Sequence, residues 1–271
     1  MTGHHVRAAV PRRLYKFMPC DKPERVSFVR DLLTHGRLKY TAVTKFNDPF
    51  EARPHLKMPG GTADEQRAAL LQHIEEVQRT AGVPTPPALR AYVESGQFEE
   101  ARELLQEAIR TVLSLVPVAC LAGTRSSILM WSLYADSHKG ACVHLSGRIE
   151  PLRTAWPINY CDDYPVLGLS WPSTESTAFT DVCILTKATH WRHEQEYRLV
   201  SPVGGQVSEV NFVGEIGTLP TGSVTGITLG ALMSREIAAE LTEVAAAHGL
   251  PVWRAGRSDN AYRLRFPRNR H

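Results

Sequence analysis

The residues best suited to chemistry lie in the run Lys187-Ala188-Thr189-His190-Trp191-Arg192-His193-Glu194-Gln195-Glu196-Tyr197-Arg198-Leu199-Val200. If a strand begins near Glu194, then Glu194, Glu196 and Arg198 project to one face, because side chains alternate along a strand with period two. Two carboxylates beside an arginine on one face orient one another and stay ionised. That arrangement suits general acid-base work or the stabilisation of a developing positive charge. The plainer alternative is an exposed ladder of ion pairs, which contributes little to stability.

Two further segments join it. In Ile128-Leu129-Met130-Trp131-Ser132-Leu133-Tyr134-Ala135-Asp136-Ser137-His138-Lys139-Gly140 the spacing predicts a helix running through Gly140 into the strand Ala141-Cys142-Val143-His144-Leu145. Trp131, Tyr134 and His138 then fall at i, i+3 and i+7, so one face carries two aromatic rings and an imidazole. Such a stripe either packs at the edge of a core or lines a binding site; Tyr and His, with polar tips to satisfy, favour the site. The third segment is Phe46-Asn47-Asp48-Pro49-Phe50-Glu51. Asn and Asp bond to nearby backbone amides, and Pro49 fixes its own φ and steers Asp48 away from helix. The result is a turn, pinned by Phe46 and Phe50, that is either structural or frames a ligand pocket.

Other chemistry fits less well. His190-x-x-His193 with Glu194 has metal-ligand residue types, but no second cluster completes a zinc set. The chain has no GxGxxG, GxxxxGK[ST] or GxSxG motif, the fingerprints of common nucleotide-binding and hydrolase folds. Cys120 sits among apolar residues, like a core thiol rather than a nucleophile. The alternation in Arg263-Leu264-Arg265-Phe266-Pro267-Arg268-Asn269-Arg270 suits a final edge strand better than a phosphate-binding arm.

These segments must be positioned by a chain of 271 residues, 43% hydrophobic and 22% charged, which can bury a sizeable core. We expect one domain, 1–271, with a helical insertion at 62–115. A net charge of +3 gives no electrostatic argument for a nucleic-acid or membrane surface. Five cysteines without a CxxC pair read as reduced thiols, and no secretory leader or bilayer-spanning run is evident, so a cytoplasmic location is expected. Residues 1–10 read as a loose leader. A strand near 12–17, a helix over 24–35 ending at Gly36 and a strand near 37–43 follow. Thr62 and Glu65 suit a capping box, opening a helix that Gly82 stops, and one or two more helices reach about Leu115. Strands are expected at 117–122, 140–146, 156–160, 182–187, 196–201, 223–229, 251–255 and 261–266, with a late helix over 235–248 capped by Ser234. Many short strands with few crossover helices indicate an α+β fold whose β body is mostly antiparallel.

Leu14-Tyr15-Lys16-Phe17, Phe46-Asn47-Asp48-Pro49-Phe50-Glu51, Met130-Trp131-Ser132-x-Tyr134-Ala135-Asp136-x-His138-Lys139-Gly140 and Lys187-x-x-x-Trp191-x-x-Glu194-x-Glu196-Tyr197-Arg198 together resemble the motifs of a widespread, uncharacterised family of bacterial proteins. The order of parts is more distantly similar to the ADP-ribosyltransferase superfamily: a strand bearing Tyr, a helix, Gly-Arg-Leu into a second strand, a Ser-x-Tyr-Ala helix, and Glu-x-Glu on a late strand. That likeness implies split antiparallel sheets, NAD as substrate and a catalytic glutamate on the late strand, with Tyr15 or Lys16 standing where the superfamily has an early His or Arg.

Breaking the nicotinamide-ribose bond builds positive charge on the ribose, which a fixed carboxylate stabilises. Glu196 is assigned that role, holding a ribose hydroxyl, and Glu194 that of a general base toward the acceptor. Arg198 and Lys16 fall near the phosphates or Glu196, Trp131 or Tyr134 stacks on nicotinamide, and Asn47 with Asp48 and His138 completes the cofactor-binding set through hydrogen bonds and the turn. The expected activity is ADP-ribosyl transfer to a protein or nucleic-acid acceptor, as a bacterial toxin or phage-defence effector. The alternative is a non-catalytic ligand-sensing or interaction module of a defence system.

Overall fold

In a computed structural model, residues 9–81, 85–169, 178–201 and 211–267 are described. The expected leader's His4, His5 and Arg7, the stop at Gly82, and Arg268, Asn269 and Arg270 lie outside them. The fold is α+β with mostly antiparallel sheets. The chain divides into two compact units: residues 1–41, 117–158 and 190–271 form the first, residues 42–116 and 159–189 the second.

In the first unit, seven strands of the central sheet follow the order Val252–Arg254, Val224–Leu229, Ala141–Ser146, Arg13–Met18, Pro117–Ala122, Glu196–Val200, Trp156–Pro157. All neighbours are antiparallel except the first two named, which are parallel. Leu14, Ala119, Leu121, Val143, Leu145 and Ile227 alternate into one core, with Val29, Leu32 and Leu33 of the helix Pro23–His35 and Leu241 and Ala245 of the helix Arg235–Ala247. Burying each of the Val, Leu and Ile side chains among them stabilises the unit by roughly 1.5–3 kcal/mol before entropy is counted. The first helix ends where Gly36, at φ 67°, donates back to Leu32. The later helix begins where the Ser234 hydroxyl accepts from the Ile237 amide. A three-stranded sheet, Asn211–Val213, Ile216–Thr218 and Arg37–Lys39, completes the main strands of this unit.

The second unit holds the helices Ala63–Ala81, Pro87–Glu94 and Phe98–Ser114, each in contact with the next in chain order. Thr62 and Glu65 cap the first reciprocally, Thr62 N–H to Glu65 Oε2 at 2.7 Å and Glu65 N–H to Thr62 Oγ1 at 3.3 Å. Two parallel strand pairs, His55–Lys57 with Val166–Gly168 and Asn159–Cys161 with Thr186–Ala188, also belong to this unit. The unit is therefore wider than the helical segment 62–115 expected from sequence.

Two expected strands differ. The run 182–187 divides between the helix Ala178–Cys183 and the strand Thr186–Ala188. Its centre, Cys183-Ile184-Leu185, is uniformly buried, and a short buried apolar run has no period to tell helix from strand. The run 156–160 is cut into Trp156–Pro157 and Asn159–Cys161, because the first pairs with Glu196–Val200 and the second with Thr186–Ala188.

Candidate functional site

The register of the first unit's central sheet places side chains from separate strands in one row. Tyr15 lies opposite His144 on one side and Ala122 on the other, and Ala122 lies opposite Glu196. Directly opposed residues share a face, so His144, Tyr15, Ala122 and Glu196 form a line across four strands. Ala122 is the small member. Two strand spacings separate Tyr15 from Glu196, about 10 Å between α-carbons, and Ala122 between them is buried in a cluster with Phe17, Met130 and Trp131.

Glu196 opens its strand and is 4% exposed. Two residues along the same face, Arg198 is fully buried and grips the carboxylate with both arms, Nε to Oε1 at 2.7 Å and Nη2 to Oε2 at 3.1 Å. Such a fork fixes position as well as charge. Below it, burial and the neighbouring Glu196 push the Cys120 thiol far above its ordinary range, which removes it as a nucleophile. Lys16 alternates away from Tyr15 and donates to the Cys120 carbonyl at 3.0 Å.

Glu194 does not share this strand. It ends a 3-10 turn, Thr189–Glu194, and Gln195 at φ 46° re-aims the chain before Glu196. Gln195 accepts from the Gly123 N–H at 2.8 Å, so the kink is tied to the loop beyond Ala122. Glu194 is still buried, and its Oε1 accepts a 2.6 Å hydrogen bond from the Tyr134 hydroxyl. The acidic segment and the Trp-Tyr helix therefore meet, through Glu194 rather than through the expected strand face.

That helix is shorter than the spacing predicts. It runs Ile128–Tyr134, capped by the Ser127 hydroxyl, and is followed by three consecutive non-glycine residues at positive φ: Asp136 (46°), Ser137 (50°) and His138 (69°). L-residues in this region are strained and persist only when their surroundings fix them. Here the His138 amide donates to Trp131 O at 3.0 Å, the His138 carbonyl accepts from the Leu232 amide at 3.0 Å, and Gly140 donates to Ala135 O at 2.7 Å. The i, i+3, i+7 stripe is consequently broken. Trp131 is fully buried, its indole N–H donating to Arg125 O at 2.8 Å and its ring edge-on to Phe17, so it is a core residue. His138 lies parallel to it at 6.3 Å, with Nε2 3.2 Å from the Ser132 hydroxyl.

Asn47 and Asp48 belong to the second unit. Asp48 Oδ1 accepts from the Phe50 N–H at 2.9 Å, the Asx turn expected of Asn-Asp-Pro. That turn delivers Glu51 into a buried ion pair with Lys187, 3.5 Å apart, joining the ends of two sequence motifs.

Sequence reasoning passed over a second cluster on the Tyr15 face. His144 is 1% exposed and stacks on Trp253 at 4.8 Å, with Tyr15 edge-on at 5.2 Å. Its Nε2 is 2.8 Å from the Thr228 hydroxyl, which also receives Arg125 Nη1 at 3.3 Å. Burial, then Arg125 and Arg13, pushes the imidazole down to about 3, so it is neutral. The Arg125 guanidinium lies over the rings of Trp253 (5.1 Å) and Phe266 (4.5 Å). A histidine in the apolar run Ala141-Cys142-Val143-His144-Leu145 was the available signal.

The first unit also has a cleft of about 980 Å³, whose lining includes Lys16, Arg25, Arg37, Lys39, Phe28 and Tyr134. Among the described residues no group of three His, Cys, Asp or Glu could hold a metal ion, and no helix is long and apolar enough to cross a membrane. No family model, curated protein or solved structure matches this chain.

Proposed function

We propose that the first unit binds NAD and transfers its ADP-ribosyl group to a protein or nucleic-acid acceptor, as the motif order of the sequence implies. The observation that carries this reading is the row in which Tyr15 and Glu196 flank Ala122. The fork of Arg198 holds Glu196 in one geometry, where it stabilises the positive charge that grows on the ribose as nicotinamide departs. Glu194, bonded to Tyr134, stands two residues away as the base toward an acceptor. Lys16 and Tyr134 line a cleft in which Arg25, Arg37 and Lys39 are paired with Asp21, Asp31 and Glu215, so its cations reach a dinucleotide's phosphates by exchanging those surface pairs. Trp131, sealed in the core, has no part in nicotinamide stacking; Tyr134 remains for it. A role as a toxin or defence effector belongs to the same reading, and growth arrest on expression would accompany it.

One observation favours a second reading, a sensor that binds a nucleotide without consuming it: both Glu196 oxygens already serve Arg198 and the side chain is 4% exposed. Nicotinamide release from NAD in the presence of cell extract separates the two. The transferase releases it, and Glu196→Gln lowers the rate at least a hundredfold with the fold intact. Binding of NAD with no nicotinamide formed by the wild-type chain overturns the enzymatic reading.

A further inference from the structure

Arg125 is a half-buried cation for which no carboxylate partner is found among the described residues. Its guanidinium is held against two aromatic rings, Trp253 and Phe266, and among the described residues its hydrogen bonds go to neutral groups, the Thr228 hydroxyl at 3.3 Å and, at 3.5 Å, His144 Nε2. Burial is the main influence on it, and Arg13 adds a second positive charge nearby. A guanidinium taken partly out of water without a counter-charge is costly, and a planar fork fixed by stacking is the geometry that oxyanions select.

Protonation within the cluster points the same way. Arginine can only donate, so His144 Nε2, 3.5 Å from Arg125 Nη1, is the acceptor in that contact, and the Thr228 hydroxyl 2.8 Å away donates to it as well. Nε2 is then the acceptor, and the proton of the neutral ring sits on Nδ1. His144 Nδ1 is buried and has no hydrogen-bond partner among the described residues. An orphaned ring N–H therefore accompanies an uncompensated guanidinium in one hydrogen-bonded group. The guanidinium lacks a counter-charge and the ring N–H lacks an acceptor, and one anion would supply both.

We propose that Arg125 and His144, with Thr228 fixing the ring between them and Arg13 adding charge, form an oxyanion site for a phosphate or diphosphate group. Two arginines and a donor N–H match a dianionic, multi-oxygen group better than a single carboxylate. The source is either free phosphate or the diphosphate of a nucleotide. The site stands without the transferase reading, because binding is measured with no turnover of NAD.

The test is calorimetric titration of the full chain at pH 7 and low salt with inorganic phosphate, pyrophosphate, ADP-ribose and, as the carboxylate control, acetate. Phosphate or pyrophosphate should bind and acetate should not. Arg125→Met should weaken binding at least tenfold and Arg125→Lys part of the way, whereas Arg110→Met, on an exposed second-unit helix, should leave it unchanged. ADP-ribose binding at least tenfold tighter than pyrophosphate assigns a nucleotide source; equal affinities assign the free anion. Because a variant can fail to fold, nitrogen-15 spectra of the wild-type imidazoles give an independent readout: phosphate should shift the His144 Nδ1 resonance. No binding to the wild-type chain, equal binding to folded Arg125→Met, acetate as tight as pyrophosphate, or an unmoved His144 resonance at saturating phosphate overturns the proposal.

Discussion

Lowering the pH from 7 to 5 should destabilise the first unit by about 2 kcal/mol through His144 alone, at about 1.4 kcal/mol per pKa unit. The folded imidazole is pushed down to about 3 by burial and by Arg125 and Arg13, and the unfolded ring titrates near its ordinary 6.5. A depressed folded value means the unfolded chain binds the extra proton. Stability is thus full above about pH 6.5 and falls as the pH drops toward 3. At pH 5 the unfolded ring is one and a half units into its titration while the folded ring is still neutral. The assay is urea unfolding followed by tryptophan fluorescence at half-unit steps, in buffers without phosphate. His144→Gln should be less stable at pH 7, because it gives up the ring packing on Trp253, but near pH 5 its stability should fall less steeply by about 1.4 kcal/mol per pH unit, the slope of one proton. Other histidines, His73 and His138 among them, are also held down by burial, so the comparison of slopes isolates His144. A constant stability difference between variant and wild type from pH 7 to 5 would refute the assignment of a buried ring that stays neutral in the fold.

Lys187→Met leaves Glu51 buried beside an apolar side chain, and loss of one partner of a buried pair costs about 3–5 kcal/mol; the double change Lys187→Met with Glu51→Leu should recover part of it by thermal melting. Gly140→Ala places a Cβ 2.2 Å from the Met18 carbonyl oxygen, a backbone atom that cannot step aside, so the variant should be recovered largely insoluble, whereas Gly60→Ala, whose Cβ meets nothing within 4 Å, should behave as wild type.

Much of the fold was legible because local signals agreed with tertiary packing. Val26, Val29, Leu32 and Leu33 mark a helix, Thr62 with Glu65 and Ser234 mark helix starts, and Pro117–Ala122 and Ala141–Ser146 lie almost where their β-branched and apolar runs end. Legibility failed wherever the backbone leaves the common regions without a glycine. Asp136, Ser137 and His138 contain no glycine to announce positive φ, yet they end the helix a full turn early and break the aromatic stripe. Gln195 likewise takes Glu194 off the strand. The geometry of the candidate site was legible in part: Glu196 and Arg198 share a sheet face as expected while Glu194 does not, and Tyr134 reaches Glu194. The partnership of Arg125, His144, Thr228 and Trp253 was not, because those residues are far apart in the chain and only strand register brings them together.

The strand Arg13–Met18 sits in the middle of its sheet, yet both of its neighbours, Pro117–Ala122 and Ala141–Ser146, come a hundred or more residues later. At a synthesis rate of roughly 5–20 residues per second, the emerging chain carries this strand with both edges unpaired for about 5–20 seconds. Its partners then close loops of high sequence separation, the slow step for any sheet. A nascent chain stalled before residue 117 exposes a Leu-Tyr-Lys-Phe-Met segment with no mate, the kind of open edge that recruits chaperones or other unfinished chains. The residue row that organises the candidate site therefore comes into existence only late in the life of the growing polypeptide.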